Sequence, residues 1–172
     1  MFLKYLYLCI LTSAYFIGVL VGVQNASFQQ EEKVINNNGN LELDAIYAKE
    51  AFQRFLSIAS NNIIVAMKNM LFGIFSLGLF SIACTFYNGV ILGAVLGDCF
   101  KLLPLNIILK STLPHCTEIL GIILFGYIGF IISIRLIFRT KMHSNKCIII
   151  FIIIAFLSIL IAAFMESYVS MS

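Results

Sequence analysis

Long apolar stretches alternate with short polar ones along this chain, and the pattern predicts five membrane-spanning helices. A helix needs about 20 apolar residues to cross a bilayer. The pattern places the spans at 5–23, 63–87, 88 to about 112, 118–138 and 147–164. Because Lys101 and Pro104 interrupt the third span, we expect that helix to break there. The predicted fold is therefore an all-α membrane bundle of about five helices with the third one broken.

The segment 24–60 is the only long polar stretch, and we expect it to form an outer loop. From Leu41 to Ile58 its apolar residues recur near helical spacing, which predicts an amphipathic helix on the membrane surface or on a partner. A helix packed on the protein's own bundle fits the same spacing. Lys4 followed by an apolar run is also typical of a signal peptide, but no clear cleavage site follows, so we expect the first span to be retained.

Basic residues between the last two spans predict the orientation of the protein. Arg135, Arg139, Lys141 and Lys146 cluster there. Loops rich in lysine and arginine stay in the cytoplasm, so counting spans places the amino terminus inside and the carboxyl terminus outside. We therefore expect a multi-pass membrane protein, organised as a single transmembrane domain over 1–172.

Composition narrows the class of protein. The chain has 172 residues, of which 61% are hydrophobic and 11% charged, which is more apolar surface than a soluble domain of this size can bury. The net charge of +3 is small and local, which argues against a nucleic-acid partner. The five cysteines show no spacing typical of zinc sites, and no phosphate-binding motif occurs, so we predict no cofactor and no metal.

Small residues at regular spacing predict close helix packing. Gly89, Gly93 and Gly97 recur every four residues, and Gly18 and Gly22 repeat this spacing in the first span. Such stripes let two helix backbones approach closely. The partner helix can belong to the same chain or to a second copy in a homo-oligomer, and both interpretations stay open.

Two pairs of polar residues lie in or beside the predicted spans. Asp98 and Lys101 are three residues apart, so they share a helix face and can neutralise each other or take part in transport. His115 and Glu118 have the same spacing just after Pro114, where we expect the fourth span to begin. An imidazole and a carboxylate so placed can share a proton, hold a metal, recognise a partner or simply stabilise the fold.

Several of these residues together resemble the stage II sporulation protein M family of bacterial membrane proteins. The resemblance covers about residues 61–129. It is carried by Asn61-Asn62, Asn88-Gly89, Gly93-Ala94, Pro114-His115 and Glu118, with Cys116 where the family usually has glycine. We take these marks and the polar pairs as a candidate functional core, formed by Asn62, Asn88, Gly89, Asp98, Lys101, Pro114, His115 and Glu118.

The resemblance implies a place in a bacterial cytoplasmic membrane and two cellular settings. Compact family members occur beside transporters or in gene clusters for circular antimicrobial peptides, and sporulation members act with cell-wall hydrolases in forespore engulfment. We expect a non-enzymatic membrane subunit that assists maturation or export of such a peptide. Its partners would be the lipid bilayer, other membrane proteins and a hydrophobic peptide. The alternatives are the engulfment complex, an intramembrane enzyme using His115 and Glu118, and a small transporter using Asp98 and Lys101.

Overall fold

Five α-helices account for almost all of the structure, a computed structural model that describes residues 2–26, 44–139 and 144–168. Every helix contains a stretch long and apolar enough to cross a membrane, and the described residues include no strand. The prediction of an all-α membrane bundle is therefore confirmed. The helices are α1 (Phe2–Ala26), α2 (Asp44–Phe75), α3 (Leu79–Leu102), α4 (Leu105–Phe138) and α5 (Asn145–Tyr168).

The predicted second span, 63–87, is wrong in its boundaries because the chain turns inside it. Leu77 and Gly78 adopt left-handed conformations, with φ of 54° and 87°, and end the helix that began at Asp44. Gly78 is required here because a Cβ atom at this position would overlap the ring of Tyr7. Apolar residues lie on both sides of the turn, so the hydrophobic pattern does not reveal it.

The break predicted near Pro104 exists, but it separates two spans and does not divide one. Leu103 is extended, and Pro104 precedes the first residue of α4. The predicted helix start at 111–114 is also wrong, because α4 begins at Leu105 and continues through Pro114. The two boundary errors compensate, so the number of crossings remains five.

The predicted surface helix of the segment 24–60 is the first part of α2. This helix runs without interruption from Asp44 to Phe75, and its apolar, span-like part begins at Ala51. An amphipathic beginning and an apolar continuation form one helix because no breaker residue separates them. The start of the predicted helix, at Leu41, lies outside the described residues.

Helix α4 occupies the centre of the bundle. In its span, 67% of the most apolar stretch is buried, against 22–33% in the other four helices. On one side, Ile123, Ile128 and Ile131 pack with Tyr7 and Leu11 of α1. On another side α4 meets α2 and α5, in a second cluster formed by Ile122, Phe125, Ala66, Ala155 and Ile159.

Helices α1 and α3 are joined by the predicted glycine stripe. A Cβ atom on Gly89 or Gly93 would overlap the carbonyl oxygen of Tyr15 or Val19, respectively. Tyr15 and Val19 of α1 thus meet Gly89 and Gly93 of α3 in the same order, so α1 and α3 run parallel. Gly97 approaches Ala26 in the same way, since its Cβ would lie 2.6 Å from that residue's Cβ. The stripe thus packs within one chain, and it leaves the predicted homo-oligomer a prediction.

The connections between helices define two ends of the bundle. The α2–α3 turn, the α4–α5 connection and the start of α1 lie together; we call this the basic end, after Lys4, Arg135, Arg139 and Lys146. Lys141, which belongs to the predicted basic cluster, lies outside the described residues. The opposite end holds the start of α2, the corner between α3 and α4, and the last turns of α1 and α5.

Candidate functional site

A cavity of about 290 Å³ lies between α2, α3, α4 and α5, in the half of the bundle away from the basic end. It brings together four residues of the candidate functional core, Asn62, Asn88, His115 and Glu118, although they come from three different helices. Apolar side chains form part of its wall and polar ones the rest. The lining residues are Ile58, Asn61, Asn62, Asn88, Ile91, Leu92, Val95, His115, Glu118 and Glu166.

His115 and Glu118 form a contact within α4 and face the cavity. The Nδ1 atom of His115 lies 3.3 Å from Oε2 of Glu118. The Glu118 side chain is 16% exposed and that of His115 is 42% exposed. Spans use about 20 residues, and counting back from Phe138 reaches Ile119. The pair therefore lies where the hydrocarbon region is expected to end.

Helix α4 extends well beyond the expected end of the hydrocarbon region. Its 34 residues correspond to about 51 Å at 1.5 Å per residue, against about 30 Å for the hydrocarbon core of a bilayer. The helix can therefore hold an ionisable pair at the membrane boundary and still cross the membrane. Pro114 precedes His115 inside α4, where it is buried but does not line the cavity.

Asparagines provide the other polar groups of the cavity. Asn62 of α2 is 8% exposed, and its Oδ1 accepts a hydrogen bond of 3.5 Å from Asn61. Asn88 lies midway along α3, where a polar side chain in a membrane is costly. Its amide donates to the carbonyl oxygen of Cys84 at 2.8 Å, which satisfies part of its hydrogen-bonding capacity. Polar side chains thus line the cavity from the membrane boundary toward the middle of the bundle.

A small recess continues the cavity toward α1. Its volume is about 30 Å³, and Tyr15, Asn88, His115 and Glu118 contribute to its wall. A water molecule in the liquid occupies about 30 Å³ and needs two to four polar partners. The recess therefore has the size and the polarity to hold a water molecule between the imidazole–carboxylate pair and α1.

Glu166 is the main cavity residue that sequence reasoning missed. The predicted fifth span ends at 164 and leaves Glu166 in the outer carboxyl-terminal tail, but α5 continues to Tyr168 and carries Glu166 into the cavity wall. It lies close enough to His115 for the two to interact electrostatically. Its signal in the sequence is a single acid directly after a long apolar run. Tyr15 was not among the candidates either, and Asn61 was named only as a mark of the family resemblance.

The remaining candidates lie elsewhere. Gly89 belongs to the seam between α1 and α3. Asp98 and Lys101 form an ion pair of 3.6 Å, with side chains 58% and 42% exposed, so the bundle does not bury them. The Lys101 Nζ atom also donates to the carbonyl oxygen of Ala26 at 2.7 Å. A cation there stabilises the carboxyl end of α1, where backbone carbonyls lack helical partners.

The cavity's chemistry is that of hydrogen bonding, charge attraction and proton exchange. Within the described parts of the chain, no group of three or more His, Cys, Asp and Glu residues is arranged to hold a metal ion. Cys116 follows His115 directly, but its side chain is exposed and does not line the cavity. Adjacent residues on a helix point about 100° apart, which accounts for this separation.

Five helices that are each long and apolar enough to cross a membrane define a multi-pass membrane protein. The chain belongs to the stage II sporulation protein M family, because the family model described as Stage II sporulation protein M matches residues 7–171. The family assignment from the sequence is therefore confirmed, and the match extends well beyond the 61–129 segment that suggested it. No curated protein and no solved structure matches the chain.

Proposed function

We propose that this chain is a non-enzymatic membrane subunit that assists maturation or export of an antimicrobial peptide. The observation that carries the proposal is the cavity at the membrane boundary, with its apolar wall beside Asn62, His115 and Glu118. A peptide leaving a membrane needs both kinds of surface, because its side chains are apolar and its backbone groups require hydrogen bonds.

The geometry offers little support for an enzyme. A thiol nucleophile needs a base within hydrogen-bond reach, and Cys116 lies outside the cavity that His115 lines. The pair of His115 and Glu118 suits reversible contacts with a polar or charged group. We therefore assign binding and hand-over of a peptide to the cavity, and chemistry on that peptide to other proteins of the complex.

Deletion of the gene in the organism that encodes it tests this proposal. We expect less antimicrobial peptide in the medium, with normal forespore engulfment wherever the organism sporulates. Wild-type protein should restore release, and so should Asp98→Asn, which changes an acid outside the cavity. Glu118→Gln should not restore it at equal membrane level. Normal peptide release after deletion would contradict the proposal, and a defect confined to engulfment would favour a role with cell-wall hydrolases.

A further inference from the structure

We propose that the exposed face of α2 around Lys68 is a docking surface for a helix of another membrane protein, one that carries an aspartate or a glutamate at the same depth. This inference goes beyond the proposed function, because it concerns the outside of the bundle and does not depend on what the cavity binds. Lys68 is exposed, and it lies seven residues before Phe75, where α2 ends. It is therefore a basic side chain inside the span-like part of α2, which begins at Ala51.

The depth of Lys68 distinguishes it from a lysine at the membrane boundary. Asn62 lines the cavity at that boundary, and Phe75 precedes the turn at the other end of α2. Lys68 lies six residues from the first and seven from the second, roughly 10 Å in each direction at 1.5 Å per residue. The next residue, Asn69, is fixed to the core by its hydrogen bond to Ile122. Lysines that reach the headgroups lie near the ends of a span, whereas Lys68 lies in the middle of one.

The chain itself offers Lys68 no partner. Among the described residues, its ammonium group makes no hydrogen bond and no ion pair. Charged side chains within a membrane are costly, and they almost always face the bundle interior or a water-filled cavity and pair there. Lys68 faces outward, so we place its partner on another molecule. Between positions 62 and 75 the other exposed residues of α2 are large and apolar, with exposed fractions of 46–86%: Ile64, Met67, Leu71, Phe72 and Phe75.

A second copy of this chain does not match Lys68. Copies in one membrane share an orientation, so the partner's carboxylate has to lie at the depth of Lys68. Glu118 and Glu166 lie at the level of the cavity, and Asp98 comes ten residues after the cavity residue Asn88. Because α3 runs away from the basic end, Asp98 lies about 15 Å beyond the cavity, on the side opposite to Lys68. The acidic side chains that the structure describes therefore favour a different protein as the partner.

The chemistry of the surface defines that partner. An ammonium group has three donors and no acceptor, and carboxylate oxygens only accept. Their attraction is stronger in a membrane than in water, because the surroundings are less polarisable. The matching helix therefore carries one carboxylate among apolar residues, which pack on the exposed side chains of Met67 and Leu71.

Association of the purified full chain with model helices tests the assignment. The protein is reconstituted in vesicles of phosphatidylcholine, a lipid without net charge. Two transmembrane peptides of leucine and alanine are compared: one has a central glutamate, and the other has glutamine at that place. Energy transfer between dyes on the peptide and on the protein reports their association. We expect the glutamate peptide to associate about tenfold more tightly, because charge-assisted hydrogen bonds are stronger than neutral ones.

Variants of the protein locate that preference. Lys68→Gln should abolish it. Lys110→Gln is the matched control and should keep it, because Lys110 is an exposed lysine of α4 that lies five residues before His115, further from the basic end. Lys68→Glu should reverse the preference, so that a peptide with a central lysine associates more tightly than the glutamine peptide.

Three results would overturn the assignment. The first is equal association of the glutamate and glutamine peptides with the wild-type protein, which needs no variant to fold and would indicate that Lys68 reaches the lipid phosphates. The second is an unchanged preference in Lys68→Gln. The third is an equal loss of preference in Lys110→Gln and Lys68→Gln, which would indicate general surface attraction. Peptide release after gene deletion is a separate measurement, so the docking surface and the proposed function can fail independently.

Discussion

The hydroxyl of Tyr7 donates a hydrogen bond to the carbonyl oxygen of Gly78, 2.8 Å away and 71 residues further along the chain. The same ring stacks on Phe130 of α4, with ring centroids 3.8 Å apart. Tyr7 thereby fixes the start of α1 to the left-handed turn between α2 and α3. The contact explains how a turn inside an apolar sequence is held in one conformation at the basic end.

Tyr7→Phe should reduce stability by about 1 kcal/mol, since it removes one hydrogen bond and keeps the ring stacking. The measurement is thermal or denaturant unfolding of the purified protein. Tyr5→Phe is the matched control, because Tyr5 is 55% exposed and should tolerate the change. Equal effects of the two variants would contradict a specific role for the Tyr7 hydroxyl.

Gly93→Leu should destroy the packing of α1 on α3. Any Cβ atom at this position overlaps the backbone of Val19, and backbone atoms cannot move aside cheaply. We expect loss of folded protein, measured as monodisperse protein recovered from membranes. Ala83→Leu, which also introduces leucine into α3 but at an exposed position, should be tolerated. Similar yields of both variants would argue against a tight glycine seam.

Asn69 should tolerate leucine better than aspartate. This residue is fully buried; its amide donates to the carbonyl oxygen of Ile122 at 3.0 Å, and its own oxygen has no partner among the described residues. Leucine removes one hydrogen bond, worth about 0.6 kcal/mol on average in membranes. Aspartate removes the amide donor and adds a buried charge. The Asn69→Asp variant should therefore unfold at a much lower denaturant concentration than the Asn69→Leu variant. The opposite ranking would contradict this account.

His115 and Glu118 should act as one unit. His115→Ala and Glu118→Ala should each impair peptide release, and the double change should add little to either, because both single changes break the same 3.3 Å contact. Cys116→Ser should be nearly silent, since Cys116 does not line the cavity. Additive effects would indicate two separate roles. A large loss in Cys116→Ser at normal membrane level would revive a thiol nucleophile.

The basic end should face the cytoplasm. Ser144→Cys and Ser170→Cys are introduced separately into a background without the five native cysteines, and intact cells are treated with an impermeant thiol reagent. The positive-inside rule predicts labelling at position 170 and protection at position 144. Labelling at 144 with protection at 170 would reverse the orientation and would place the cavity half of the bundle toward the cytoplasm.

The sequence by itself determined the class of fold, the number of spans and the pairing of neighbours on a helix. The thickness of the bilayer sets the length of an apolar stretch that can cross it. Five such stretches can therefore be recognised without knowing how the helices pack. The contact of His115 with Glu118 follows from the local geometry of one helix. The spacing of Gly89, Gly93 and Gly97 likewise predicts close packing, although it does not reveal which helix packs there.

Only the tertiary structure decided where the spans end and which residues share the cavity. The turn at Gly78 lies among apolar residues, and its conformation depends on the distant ring of Tyr7. Glu166 joins His115 because α5 packs antiparallel to α4, a long-range arrangement that no local pattern encodes. Asn88 and Gly89 are neighbours in sequence, yet a rotation of about 100° per residue directs one to the cavity and the other to α1.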